Sequence, residues 1–358
     1  MSEKILMSGN HVVGEAATRA GCRFYAGYPI TPQNELTEYM ASAMAGLEDG
    51  TFVQAESEIA AINMVIGASL AGCRSMTSSS SPGISLKQEG ISFLSAMELP
   101  AVIVNCMRGG PGLGNIAPAQ GDYFQATRGG GHGDYRNIVL APASGQELAE
   151  LTRKAFGYAD EYRTPVIILQ DGMMGQMMEP VQFPEPLDKK DLPSRPWKLN
   201  GAKGRPSRFI RSLLLDPAVE EEFNWKLARK YEDITKKIQS AETYMTDDAR
   251  LVVIAYGTAA RIAKGAVNRA RETGLKVGLF RPKTLWPFPS RNLVELSRSV
   301  NDFLVFEMST GQMVEDVRLS LEGRGNVHFY GRPGGIISTP QEIEEEMKGI
   351  YQRRKLDK

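Results

Sequence analysis

What most limits the folds open to this chain is a repeated change of hydrophobic period. Short apolar runs (Ala101-Val-Ile-Val-Asn-Cys106, residues 166–169, Leu251-Val-Val-Ile254) alternate with longer stretches of helical period. Apolar runs of four to eight residues bounded by turn signals read as strands buried on both faces. Strands that alternate with helices imply a mostly parallel sheet with helices on both sides. With 358 residues the chain can build two such units, each with its own core. The expected fold class is α/β, with two doubly wound, mostly parallel-sheet domains.

The pattern divides the chain into residues 1–185, 186–247 and 248–358. In the first, helices are expected at 9–21, 59–70, 86–97 and 145–160. Strands are expected at 22–26, 51–54, 74–78, 101–106 and 166–169. Thr31 suits an N-cap with Pro32 at the first helical position, ahead of a helix through Leu36, Tyr39, Met40 and Met44. Residues 79–83 read as a loop of small residues. Residues 179–216 are rich in proline and charge and read as a connector. Residues 217–246 read as one charged helix with a stripe of Phe223, Leu227, Tyr231, Ile234 and Ile238. The last segment repeats the alternation: strand 251–254, helix 259–272, strands 277–280 and 303–306, helix 312–322.

Composition excludes several classes of function. The chain holds 42 basic and 42 acidic residues, so nothing marks a nucleic-acid or anionic membrane surface. No apolar run approaches the roughly 20 residues needed to span a bilayer, and the start Met1-Ser2-Glu3-Lys4 has no signal-peptide pattern. The three cysteines, Cys22, Cys73 and Cys106, are isolated. They read as small apolar residues in a reducing cytoplasm rather than as metal or cluster ligands.

Residues at the carboxyl ends of parallel strands converge on one crevice. Three segments fall there: Tyr28-Pro29-Ile30-Thr31-Pro32, Glu56-Ser57-Glu58, and Arg108 ahead of Gly109-Gly110-Pro111-Gly112-Leu113-Gly114. Glu58 precedes an apolar helix and, if drawn inside, is a useful acid; exposed first-turn placement competes with that reading. Arg108 offers a fork that matches a carboxylate, against the alternative of a surface arginine on a tight turn. Thr77-Ser78-Ser79-Ser80 can present hydroxyls and amides. The glycine run lacks both the dinucleotide spacing and a Walker lysine. Three histidines and no Gly-x-Ser-x-Gly argue against a serine triad. His132, in a glycine loop, reads as structural or surface, and the methionines of 173–178 as packing.

In this order, these segments resemble the α-type subunit of the 2-oxoacid:ferredoxin oxidoreductases. The resemblance spans nearly the whole chain. It includes Gln120-Gly121-Asp122-Tyr123 and, further on, Arg281-Pro282-Lys283-Thr284-Leu285-Trp286-Pro287-Phe288-Pro289 and Glu307-Met308-Ser309-Thr310-Gly311-Gln312. It implies a thiamine-diphosphate pyrimidine-binding domain followed by a transketolase C-terminal-like domain. The implied reaction is CoA-dependent oxidative decarboxylation of a 2-oxoacid to acyl-CoA and CO2, with ferredoxin reduced. By resemblance, Glu58 bonds N1′ of the aminopyrimidine, Thr31 meets the substrate, and Arg108 holds the substrate carboxylate. Tyr28, Pro29, Ile30, Thr77 and Ser78 line the cofactor. A β-type subunit would hold the diphosphate and Mg2+. A γ-type subunit and a ferredoxin-like δ-type subunit would complete the complex, with [4Fe-4S] clusters only in partner subunits.

Gly112-Leu113-Gly114-Asn115-Ile116-Ala117-Pro118 resembles the branched-chain (3-methyl-2-oxobutanoate) type more than the 2-oxoglutarate type. Ser81 stands where glycine is common, and no role is assigned to His11. A non-catalytic docking subunit and a transketolase- or decarboxylase-like subunit are the competing readings.

Overall fold

The computed structural model describes residues 4–356; Met1-Ser2-Glu3, part of the leader reading, lies outside the described residues. In chain order the elements are β1 (Ile5–Ser8), α1 (Gly9–Arg19), β2 (Phe24–Gly27), α2 (Asn34–Ala45), β3 (Thr51–Gln54), α3 (Glu58–Leu70), β4 (Ser75–Ser79), α4 (Ser81–Ala96), β5 (Ala101–Met107), α5 (Tyr123–Thr127), β6 (Ile138–Leu140), α6 (Gly145–Tyr162), β7 (Pro165–Asp171), α7 (Gly172–Gln176) and β8 (Met178–Val181). A short 3-10 turn at Lys189–Asp191 follows. Then come α8 (Pro217–Lys237), β9 (Ala241–Tyr244), β10 (Leu251–Ile254), α9 (Gly257–Glu272), β11 (Val277–Pro282), β12 (Thr284–Trp286), α10 (Ser290–Leu296), β13 (Asp302–Glu307), α11 (Met313–Leu321), β14 (Asn326–Gly331) and α12 (Pro340–Arg354).

Seven strands form one sheet in the order β12-β6-β7-β5-β4-β2-β3, and five form another in the order β14-β13-β10-β11-β9. Both are parallel except at one edge, where β12 and β9 run antiparallel. β5 and β7 are central and wholly buried, as their apolar sequences require. β4 is also wholly buried, although Ser75, Thr77, Ser78 and Ser79 make up all of it but Met76. A strand of hydroxyls in a sheet centre is costly unless its polar atoms find partners, so β4 marks a place built for something other than packing.

Adjacent strands β2 and β4 send their chains in opposite directions, β2 through α2 to β3 and β4 through α4 to β5. Such a switch point opens a crevice at the carboxyl ends of the strands. The segments after β2 and after β4 flank it.

Four expectations need correction. α2 starts at Asn34 with Gln33 as N-cap, not at Pro32 with Thr31 as cap. The Gln33 side chain is drawn inward, where it accepts from Thr37 and Ser78, so helical geometry begins only after it. Residues 79–83 are not a loop: Ser79 ends β4, and α4 begins at Ser81 with Pro82 in its first turn, where proline costs nothing. The charged helix stops at Lys237, and residues 241–244 pair with β11 instead. Residues 284–286, expected within the third segment, return to the edge of the first sheet and pair with β6.

The two sheets are joined by buried polar contacts. The Gln120 side chain donates to the Tyr256 carbonyl and accepts from the Met308 amide, at 2.9 and 3.0 Å. Tyr123 donates to Asp316, and Thr258 to Asp171. Arg281 reaches Glu147 across the same seam and Glu242 on the neighbouring strand β9 of its own sheet.

Candidate functional site

Ser57 caps α3 by accepting from the Ala60 amide, which starts the helix at Glu58. The Glu58 side chain then faces α4 and is only 5% exposed, while Glu56 stays exposed. Its carboxylate lies against the first turn of α4 because position 83 carries no side chain. A Cβ built on Gly83 would sit 2.5 Å from Glu58 Oε1 and closer still to Ser79 Oγ. Burial, rather than exposed first-turn placement, is therefore the outcome for Glu58.

Arg108 follows β5 and is 7% exposed. Its guanidinium ties two loops together, donating to the Thr31 carbonyl at 3.0 Å and to the Leu113 carbonyl at 3.1 Å. Nε has no partner and is buried. Thr31 is exposed at the mouth of the crevice, and its peptide bond to Pro32 is cis. Thus the structure brings Thr31 and Arg108 into direct contact.

The turn from β4 into α4 links this pair to Glu58. Gly83 in that turn faces the Glu58 carboxylate. Ser81, two residues earlier, accepts from the Arg108 amide at 3.0 Å and donates to Asp122 at 2.6 Å. The serine that stands where glycine is common is thus the joint between the two halves. Asp122 also accepts from Asn105, and burial raises its carboxyl above the usual range against those two donors.

Tyr28 and Pro29 are exposed and Ile30 is half-buried on the opposite lip. Thr77 and Ser78 differ from each other. Ser78 is committed to a buried network with Tyr25 and Gln33 that pins the segment after β2. Thr77 Oγ1, Ser79 Oγ and Ser80 Oγ are buried with no partner. Three orphaned hydroxyls and an orphaned guanidinium nitrogen along the β4 and β5 ends are what a site left ready for a polar ligand looks like.

The sequence reading missed Gln33, Gly83, Lys87 and Asp122. Asp122 lay within a segment quoted for the resemblance. Gly83 and Lys87, four apart on α4, share a helical face, a signal that the small-residue run 79–83 masks. His132 is exposed; its carbonyl accepts from Ser92 and its ring meets Phe93 edge-on. Cys22 and Cys106 are buried and Cys73 is half-buried; burial, aided by Cys73, pushes the Cys22 thiol up to about 12. Met174 packs inside, whereas Met178 is exposed. Among the described residues no helix is long and apolar enough to cross a membrane.

Two family models together match most of the chain. A family described as pyruvate flavodoxin/ferredoxin oxidoreductase, thiamine diP-bdg, matches residues 15–246. A second, pyruvate:ferredoxin oxidoreductase core domain II, matches residues 249–343. The ketoisovalerate oxidoreductase subunit VorB of Methanothermobacter marburgensis is 50% identical over 345 residues, covering 96% of this chain and 97% of the relative. The 2-oxoglutarate synthase subunit KorA of the same organism is 38% identical, covering 98% and 100%. Among solved structures, the 2-oxoglutarate:ferredoxin oxidoreductase from Magnetococcus marinus, with 2-oxoglutarate, coenzyme A and succinyl-CoA bound, superposes with a TM-score of 0.84 at 28% identity. That match covers 97% of this chain, and the chain spans 65% of that one. A split-gene transketolase matches at a TM-score of 0.60 and 13% identity, which is a likeness of fold alone.

Proposed function

The chain belongs to the pyruvate flavodoxin/ferredoxin oxidoreductase family, and on that premise we propose that it forms the pyrimidine and substrate half of a branched-chain 2-oxoacid:ferredoxin oxidoreductase. Residues 1–185 would hold the pyrimidine end of thiamine diphosphate, with 248–358 as the second unit, 284–286 excepted. A β-type subunit would hold the diphosphate and Mg2+. The γ-type and ferredoxin-like δ-type subunits would carry the remaining parts, including the clusters that pass electrons to ferredoxin. The setting would be cytoplasmic.

The observation that carries the proposal is a buried carboxylate, Glu58, one turn of α4 away from the Arg108–Thr31 pair, with unpartnered hydroxyls around it. The residues fit the group. Glu58 Oε1 packs against the first turn of α4, where Gly83 carries no side chain, and the buried hydroxyls of Thr77, Ser79 and Ser80 have no partner within the chain, so a polar ring would find both an acid and unpaired hydroxyls there. Bound there, thiamine diphosphate supplies the carbon nucleophile for a 2-oxo group. Glu58 would share a proton with the pyrimidine ring nitrogen through its carboxylate oxygen. Arg108 would hold the substrate carboxylate with Nε and its remaining N–H groups, at the cost of no rearrangement of the two loops it already fixes. The Thr31 hydroxyl would donate to the substrate at the crevice mouth.

The side of the crevice beyond Arg108 presents Leu113, 80% exposed, and Ile116, 63% exposed, with no cation between them. That lip suits a branched aliphatic tail and offers nothing for a second carboxylate. The test is a substrate panel on the complex assembled with its partner subunits, with coenzyme A and a low-potential acceptor. 3-Methyl-2-oxobutanoate is expected to give the highest kcat/KM; a preference for 2-oxoglutarate would overturn the substrate, and no turnover of any 2-oxoacid would overturn the activity.

A further inference from the structure

Lys87 is wholly buried, which is rare for a lysine. It stands four residues after Gly83, on the same face of α4. That face is pressed against α3: Gly83 meets the Glu58 carboxylate, and Gly90 leaves so little room that a Cβ would sit 2.6 Å from Ile62. Between those two close approaches the Lys87 side chain turns inward. Nζ donates to the Glu58 carbonyl at 3.4 Å, a long contact and its only hydrogen bond among the described residues. A buried ammonium held by one weak neutral acceptor needs an opposite charge nearby.

The charged groups on the elements around α4 leave one candidate for that charge. Glu58 comes from α3. Arg108, at the end of β5, is of the same sign and turned to the Thr31 and Leu113 carbonyls. Asp122 is engaged by Ser81 and Asn105. Asp171, at the end of β7, accepts from Thr258 and two backbone amides. Glu56 and Glu89 are exposed to water. Burial lowers the Lys87 ammonium to about 8, and Glu58 is the charge that opposes the fall.

We propose that Lys87 is a positioning residue for Glu58: held on the Glu58 carbonyl between α3 and α4, its buried ammonium is the counter-charge for the carboxylate that meets the cofactor's pyrimidine. The inference rests on the function proposed above. It has a consequence in proton count. When a neutral ring nitrogen docks on an ionised carboxylate, one proton must enter from solvent to lie between them. With a neutral side chain at position 87, that proton is already in the pocket before docking, and less is taken up.

The test uses the assembled complex, stripped of thiamine diphosphate. Calorimetric titration with the cofactor at neutral pH, in two buffers of different ionisation heat, reads the protons absorbed per site. The wild type is expected to take up about one proton. Lys87→Met and Lys87→Gln should each lose at least about half of that uptake, and Lys87→Arg should keep it. A merely structural lysine would change the melting temperature of these variants but not the proton count. Unchanged uptake in the Met variant, or in the Gln variant if the Met variant does not assemble, overturns the proposal. A wild-type complex that binds the cofactor without proton uptake overturns it as well, leaving the function intact. A wild-type complex that binds no thiamine diphosphate overturns both.

Discussion

Gly83→Ala adds one methyl group at the point where the proposed acid meets the α4 helix. The new Cβ would lie 2.5 Å from Glu58 Oε1, 3.1 Å from its Cδ, and against Ser79 Oγ. Relief to an ordinary contact needs the carboxylate to move by about 0.5–1 Å, and overpacking of this kind costs roughly 1–3 kcal/mol of stability. The fold should survive that cost. The chemistry should not, because misplacing a reacting group by an ångström lowers turnover about 100-fold. The assay pairs thermal melting with 2-oxoacid turnover and cofactor affinity in the assembled complex. A control separates the two clashes. Ser79→Ala removes the hydroxyl that the new methyl would strike but leaves the conflict with Glu58, so the double variant should regain stability yet stay far less active than Ser79→Ala alone. Full activity in Gly83→Ala, or full rescue by Ser79→Ala, would refute the placement of Glu58 as the group that matters.

Two further outcomes follow from the same contacts. Arg108→Lys keeps the charge but gives up Nε and one of the two loop anchors at Thr31 and Leu113. Its KM for the 2-oxoacid should rise about 10- to 100-fold, the size expected for losing charge-assisted hydrogen bonds; an unchanged KM would remove Arg108 from the substrate site. Burial alone would raise the Glu147 carboxyl, but Arg281 and Lys283 outweigh it and hold it down at about 2, below its ordinary 4.5. A depressed carboxyl contributes stability that is fully present above 4.5 and lost as pH falls from there toward 2. Allowing for residual solvent, that contribution is on the order of 2–3 kcal/mol. Acid melts of the wild type should therefore steepen in that window, and Arg281→Met should flatten them.

Long-period features were readable before the structure. β5, β7 and β10 declared themselves because central parallel strands are apolar on both faces, and α6 because its apolar face repeats over 18 residues behind a Ser144 cap. The short antiparallel strands were not readable. β1, β8, β9 and β12 are three or four residues long and paired antiparallel, and their pairing depends on distant segments rather than on their own pattern. The site was half readable. Thr31, Glu58 and Arg108 sit at strand ends, where topology alone directs attention. Their joints did not show. Pro82-Gly83 looks like a break in structure, but here proline starts α4 and glycine admits a carboxylate from another helix. Thr31 has the chemistry of a cap, yet Gln33 takes that place because Thr37 and the sequence-remote Ser78, both held by Tyr25, draw its side chain inward. Ser78 belongs to the same network. Each miss is a side-chain contact between segments that sequence spacing cannot bring together.

The central claim is that Glu58 is the acid this chain contributes to a 2-oxoacid oxidoreductase. Glu58→Gln keeps the shape and removes the ionisable group, so the most direct measurement is turnover of 3-methyl-2-oxobutanoate by the assembled complex carrying that variant. Turnover is expected to fall by at least about 100-fold, the usual size of a general acid–base contribution, with assembly and melting temperature close to wild type. A near-normal rate in a complex that assembles and binds cofactor would contradict the account.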